Sequence, residues 1–199
     1  MRWLFVALGL GLTAGTHGQA LAPPPALTFE DQFERPVSVA SHRGDVVVLL
    51  YGDRKSADAN RALGERLHIA FHPTALGLSP ARAQKAPVLP LRGQPPGTRP
   101  PDVIAVPVAC VGKVPGVVRS LIRGQVRGAS PDVPVWLDFR DTMRQQFGLA
   151  AGVPNLVVLD AAGRVRYHAA GPLTAEQFER LLTFLQELRR EAVTSAARP

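Results

Sequence analysis

Sulfur is nearly absent from this chain. One of its 199 residues is cysteine, Cys110, so no intramolecular disulfide can form and no second thiol is present to resolve a mixed disulfide. Lysine is scarce as well: Lys55, Lys85 and Lys113 are the only three among 23 basic residues, and the other 20 are arginine. Those arginines are scattered, and scattered charge at a net +7 describes a solvated surface better than a nucleic-acid footprint. No G-x-S-x-G elbow exposes a nucleophilic serine. Intramolecular thiol exchange and the serine-hydrolase elbow are thereby excluded.

What the chain does have begins at its N-terminus. Arg2 precedes the apolar run "WLFVALGLGLTA", and Ala20-Leu21-Ala22 supplies small residues at an A-x-A spacing. Residues 1–22 are expected to be a signal peptide, too short to stay as a membrane anchor and without a cysteine at the cleavage point to take a lipid. The mature product is expected in the periplasm or secreted, as one domain over 23–199. Cleavage removes one of the 23 basic residues and none of the 16 acids, which leaves +6. In an oxidising compartment a lone Cys110 pairs with another chain or stays buried and inert, and free cysteine is commonly buried.

Leu27 to Phe29 and Pro36 to Val39 are short β segments separated by polar residues, a hairpin pattern suited to a sheet edge. Val46 to Tyr51 is an apolar run without polar alternation, which predicts a parallel central strand buried on both faces. Ser56 is placed to N-cap a helix from Ala57 to Phe71, with Asp58 in its first turn and Leu63, Leu67, Ala70 and Phe71 facing in. Eight prolines then crowd Pro73 to Pro101, so 72–101 is expected to be a mobile, partly extended surface insertion with no core of its own.

"DVIAVPVACVG" predicts a second apolar strand, in which Pro107 calls for an edge position or a bulge. "VPGVVRSLIRGQVR" predicts a helix with Val117, Val118, Leu121 and Ile122 inward and Arg119, Arg123 and Arg127 toward water. "VPVWLDF" reads as a short strand and "DTMRQQFG" as a short helix stopped by Gly148. "NLVVLD", "AAGR" and "VRYHAAG" form a strand, turn and paired strand. A helix from Thr174 to about Val193 closes the chain, with a Thr174/Gln177 capping box and Phe178, Leu181, Leu182, Leu185 and Leu188 on one face. Glu176 and Glu179 open it and Arg189 and Arg190 close it, as the helix dipole prefers.

This α/β order resembles the thioredoxin-like fold of the redoxin superfamily, over most of 23–199 with the Pro-rich insertion set aside. The resemblance implies a central mixed β-sheet flanked by helices. It also implies a C-x-x-C pair in the first turn of the helix after "VVVLLYG", and a cis-proline just before "NLVVLD". Val153-Pro154-Asn155 matches the proline; the cysteines would fall on Ser56-Ala57-Asp58-Ala59, where neither end is cysteine. The chain is also similar to a small group of bacterial periplasmic redoxin-like proteins with Gly, Arg, Ser, Ala and Asn at this turn. Copper-delivery relatives of the fold use a C-x-x-x-C pair with a histidine, and that pair is absent too.

Ser56 therefore holds the position of a redox thiol without its acidity, and no histidine neighbours it in sequence to act as a base. His68 and His72 are four apart and share a helix face, yet no third ligand is evident, and no metal or cofactor is expected. Arg54 and Lys55 stand beside the free N–H groups of a helix N-terminus, the ingredients of an anion site. The preferred expectation is a non-catalytic binding module whose face, formed by Arg54, Lys55, Ser56, Asp58, Ala59 and Pro154, contacts an envelope protein or a small anion. A cis-proline beside an open helix end, as the resemblance implies, would leave a backbone edge for an extended peptide. The alternative is an enzyme, a thiol peroxidase or thiol-disulfide oxidoreductase working through Cys110.

Overall fold

A computed structural model describes residues 27–94 and 97–196, so the expected signal peptide lies outside the described residues. The frame is a seven-stranded mixed sheet. Its strands are β1 (Thr28–Asp31), β2 (Pro36–Ser38), β3 (Val46–Gly52), β4 (Val103–Cys110), β5 (Trp136–Asp138), β6 (Asn155–Leu159) and β7 (Val165–Ala170), in the spatial order β2-β1-β5-β4-β3-β6-β7. β3, β4 and β5 run parallel, and the remaining pairs are antiparallel, including the expected β1–β2 hairpin at one edge. The helices are α1 (Ala57–Phe71), α2 (Pro80–Ala83), α3 (Gly116–Ala129), α4 (Thr142–Phe147) and α5 (Ala175–Ala196).

β3 is buried throughout because it feeds two cores of opposite parity. Val46, Val48 and Leu50 meet Leu67 and Phe71 of α1 and Phe178, Leu181, Leu185 and Leu188 of α5. Val47, Leu49 and Tyr51 point the other way, into a cluster with Val108, Trp136, Met143 and Leu149. Alternation of side chains across the pleat thus sends Tyr51 to the face that carries α4. Each of these aliphatic burials is worth about 1.5–3 kcal/mol against exposure.

Two expectations give way. Pro107 does not sit on an edge strand, since β4 lies between β3 and β5. The physical conflict is resolved locally: β5 pairs only with Val108–Cys110, so up to Pro107 the side of β4 away from β3 has no strand to which an N–H must donate.

The described part of the Pro-rich insertion touches the domain at Leu89, Leu91 and Pro101. Leu91 is buried, and Leu89 N–H donates to Phe71 O at 2.8 Å. Arg189 of α5 is wholly buried; its Nε donates to Pro101 O at 2.7 Å, its Nη2 to Leu89 O at 2.5 Å, and its guanidinium lies over the Phe71 ring. A proline-rich segment has too few N–H groups to build a ladder but keeps every carbonyl, and a buried guanidinium is a compact set of donors for them. Arg189 is therefore a clamp well inside α5, which runs on to Ala196, and not a charge closing its last turn.

The second departure, in part, is α3. Of the residues expected inward, Val117, Val118 and Leu121 are exposed and Ile122 is half-buried; of the arginines expected toward water, Arg127 is exposed whereas Arg119 and Arg123 turn toward the protein. Arg123 Nη2 donates to Glu30 Oε1 at 2.5 Å, its Nη1 is 3.6 Å from Glu34 Oε1, and its guanidinium lies over Phe139, as does that of Arg119. Arg127 donates to Gln32 O at 2.9 Å and covers Phe33. What these arginines meet are rings, carboxylates and a carbonyl, which suit guanidinium groups on apolar stems.

Candidate functional site

The parallel strands β3 and β4 end side by side, with Gly52 opposite Ala109, and two polar constellations form at that end. The first is the turn into α1. A Cβ at Gly52 would lie 2.1 Å from Ser56 Oγ and 2.5 Å from Asn60 Nδ2, so only glycine leaves room for these two buried side chains. Ser56 occupies the N-cap position without capping: its hydroxyl donates back to Asp53 O at 3.1 Å. The expected Ser56 cap is thus corrected, because a side chain packed inward beneath Gly52 cannot also reach forward to the N–H groups of α1.

Asp53 organises the turn instead. Its Oδ1 accepts Lys55 N–H and its Oδ2 accepts Gly152 N–H, both at 2.9 Å. Burial alone would raise its pKa, but the N–H donors of Gly152, Lys55 and Ser56 outweigh that and hold the carboxyl below its usual range. Arg54, Lys55, Asp58 and Ala59 are exposed. Asp58 pairs with Arg61 at 2.7 Å; among the described residues neither Arg54 nor Lys55 forms a salt bridge.

Pro154 stands on the loop that Asp53 holds through Gly152. Its peptide bond is trans, as are all those described, where the resemblance implied cis. Trans is the intrinsically favoured isomer of an X–Pro bond, and in it Pro154 O accepts Gly171 N–H at 2.8 Å, which extends the β6–β7 pairing. Val153 O in turn accepts Asn155 Nδ2–H at 2.9 Å. The backbone edge expected for an extended peptide is largely occupied from within.

The second constellation surrounds Cys110, the last residue of β4, and follows from register. Tyr51 is opposite Val108, so Cys110, two residues on, shares its face of the sheet. Cys110 itself is opposite Asp138 of β5. Asp138 is buried and accepts the N–H groups of Arg140, Thr142 and Met143, so it does the work of an N-cap for α4. That leaves Asp141, in a left-handed conformation at φ 58°, to aim its carboxylate at the sulfur. Cys110 Sγ–H donates to Asp141 Oδ1 at 3.3 Å, and Arg144, one helical turn on, donates from Nη2 to Cys110 Sγ at 3.0 Å.

Burial pushes the Cys110 thiol up, the Tyr51 hydroxyl draws it down, Asp141 raises it and the Arg144 charge lowers it; the net direction is upward. Tyr51 is driven far above its usual range, first by burial and then by the neighbouring thiol. Arg144 is held more firmly protonated, chiefly by Cys110. Tyr51, Asp53, Asp141 and Arg144 were not among the residues expected from sequence. A signal existed for three of them: Tyr51 ends the apolar run beside the strand that ends at Cys110, and Asp141 and Arg144 have the i, i+3 spacing of one helix face.

His68 and His72 are spent on structure. Their rings stack with centroids 4.2 Å apart, His68 Nε2 bonds Ala83 O at 2.9 Å, His72 Nδ1 bonds His68 O at 3.1 Å, and His72 Nε2 meets Asp102 Oδ1 at 3.0 Å, closing the base of the insertion. Three or more metal-binding side chains do not converge anywhere among the described residues.

No family model matches this sequence and no curated protein matches it. Solved structures do. The exposed lipoprotein thioredoxin Etrx1 of Streptococcus pneumoniae matches with a TM-score of 0.52 at 13% identity, covering 80% of this chain and 99% of that one. A secreted thiol-disulfide isomerase of Corynebacterium glutamicum matches at TM-score 0.51 and 18% identity over 84% and 85% of the two chains. A DsbF homologue of Corynebacterium diphtheriae does so at 0.51 and 16% over 90% and 99%. Likeness at such identities speaks of architecture alone. Taken with the strand order and the helix that follows β3, it makes this a protein of thioredoxin-like fold.

Proposed function

We propose that this chain is an exported, non-catalytic binding domain that uses the exposed cations Arg54 and Lys55, at the start of α1, to hold an acidic segment of an envelope protein. One observation carries the reading. The acid beside these cations, Asp53, has its carboxylate oxygens turned to the N–H groups of Lys55 and Gly152, and Asp58 is paired with Arg61, so two neighbouring exposed cations stand without a salt bridge at the positive end of a 15-residue helix. With the backbone of Gly152, Val153 and Pro154 already engaged, recognition falls to side chains more than to strand addition. The alternative, turnover through Cys110, has against it a thiol whose acidity burial suppresses and the lack of a second cysteine.

The test is a fluorescence-anisotropy titration of the protein with an Asp/Glu-rich extended peptide and a neutral peptide of the same length. The acidic peptide should bind more tightly, lose affinity as salt rises, and bind about tenfold more weakly to the Arg54→Ala/Lys55→Ala variant, whose melting temperature stays unchanged. Equal binding of both peptides, or an unaffected double variant, would remove this face as the site.

A further inference from the structure

We propose that Cys110 is an oxidation site whose surroundings retain the sulfur as a sulfenic acid formed with a small hydroperoxide. The inference stands apart from the peptide reading and uses none of its residues. The observation behind it is a pair of buried donors with no good acceptor. Tyr51 is 1% exposed, and its buried hydroxyl meets no oxygen or nitrogen acceptor and faces only the weakly accepting Cys110 sulfur. Arg144 Nε is buried and unpartnered too, while the Nη2 of the same guanidinium already donates to that sulfur at 3.0 Å. A buried donor without a good acceptor is destabilising, and a thiol is a weak acceptor. An oxygen added to the sulfur supplies the strong acceptor that both groups lack.

The remaining partner manages the proton. Asp141 Oδ1 accepts Sγ–H at 3.3 Å, and Cys110 is only half-buried, open to a molecule as small as hydrogen peroxide. As Asp141 takes the thiol proton, the sulfur attacks one peroxide oxygen and the O–O bond breaks. The departing hydroxide leaves as water with that proton; sulfur gives up two electrons and the peroxide gains them. Because the acidity of the thiol is suppressed, the step is slow, and the site's contribution comes after it, in holding the product. No second cysteine in the chain can condense with the sulfenic acid.

The experiment treats the full chain with hydrogen peroxide, quenches at intervals, and follows intact mass with and without a cyclic 1,3-dione that traps sulfenic acid. The expected record is a single-oxygen adduct on Cys110 that captures the dione and persists before any two-oxygen product appears. Tyr51→Phe, which keeps the ring, should shorten that persistence about threefold to tenfold, and Arg144→Lys should shorten it as well. A Cys110 inert to peroxide until the protein unfolds, or direct passage to the two-oxygen state at equal rates in wild type and in a folded Tyr51→Phe, would overturn the proposal. So would a single-oxygen adduct that persists equally in wild type, Tyr51→Phe and Arg144→Lys.

Discussion

α5 and α3 are both amphipathic helices against the same sheet, and they settle on it in opposite senses. α5 lays Phe178, Leu181, Leu185 and Leu188 into the core with α1, as its apolar stripe predicts. α3 lays Arg119, Arg123 and Arg127 onto Phe139, Phe33 and Glu30, and holds Val117 and Leu121 out in water. The difference lies in what each helix meets. Beneath α5 are Val46, Val48 and Leu50, which offer only dispersion; beneath α3 are rings and carboxylates, which offer a guanidinium stacking, charge pairing and a place for its apolar stem. Hydrophobic periodicity records that a helix has two faces, and the partner surface decides which one goes down.

The sharpest way to confirm the α5 half is Leu185→Ala. Leu185 is fully buried in the α1/α5 core, and its truncation removes transfer energy and leaves a cavity, so urea denaturation should show a loss of about 2–5 kcal/mol. A loss under 1 kcal/mol would mean that α5 does not seat there as described.

The same distinction explains how much could be read without coordinates. The strand sequence, the hairpin, the central place of β3 and the inner face of α5 were legible because unbroken or periodic apolar residues met apolar partners. What escaped were polar residues whose partners lie far off in sequence. Arg123 reaches Glu30, 93 residues away, and Arg189 reaches Pro101, 88 residues away; no local pattern announces either. At the site, the missing cysteines and the exposed Arg54 and Lys55 were plain, and the roles of Asp53 and Ser56 were not. A serine before a helix is read as its cap, whereas here lack of space above Gly52 turns Ser56 inward and gives the turn to Asp53. The spacing of Asp141 and Arg144 places them on one helix face, but that this face meets Cys110 depends on β4 ending level with α4, a matter of register.

A smaller effect tests the α3 half directly. Arg123→Ala deletes a guanidinium whose side chain is only 14% exposed, leaves Glu30 without that partner, and uncovers Phe139. The expected loss is about 1–2 kcal/mol, part of it persisting in high salt because ring contact is not screened. If α3 instead rested on its valines, Arg123 would be a solvated surface residue and the change would fall within about 0.5 kcal/mol.

The smallest expected effect is the most discriminating. Leu121 is 63% exposed and Val117 is 86% exposed, so Val117→Ser/Leu121→Ser should leave stability within about 0.5 kcal/mol per position of wild type. What little is lost comes from the helix itself, since serine is a poorer helix former than leucine, and that cost is the same whichever face is down. A core seat for these two side chains would instead cost about 2–5 kcal/mol for the leucine alone, by the cavity reasoning that applies to Leu185. The two outcomes are far enough apart for a single urea midpoint to decide between them, and the double variant should also be the more soluble protein, because it removes the largest apolar side chains that α3 presents to water.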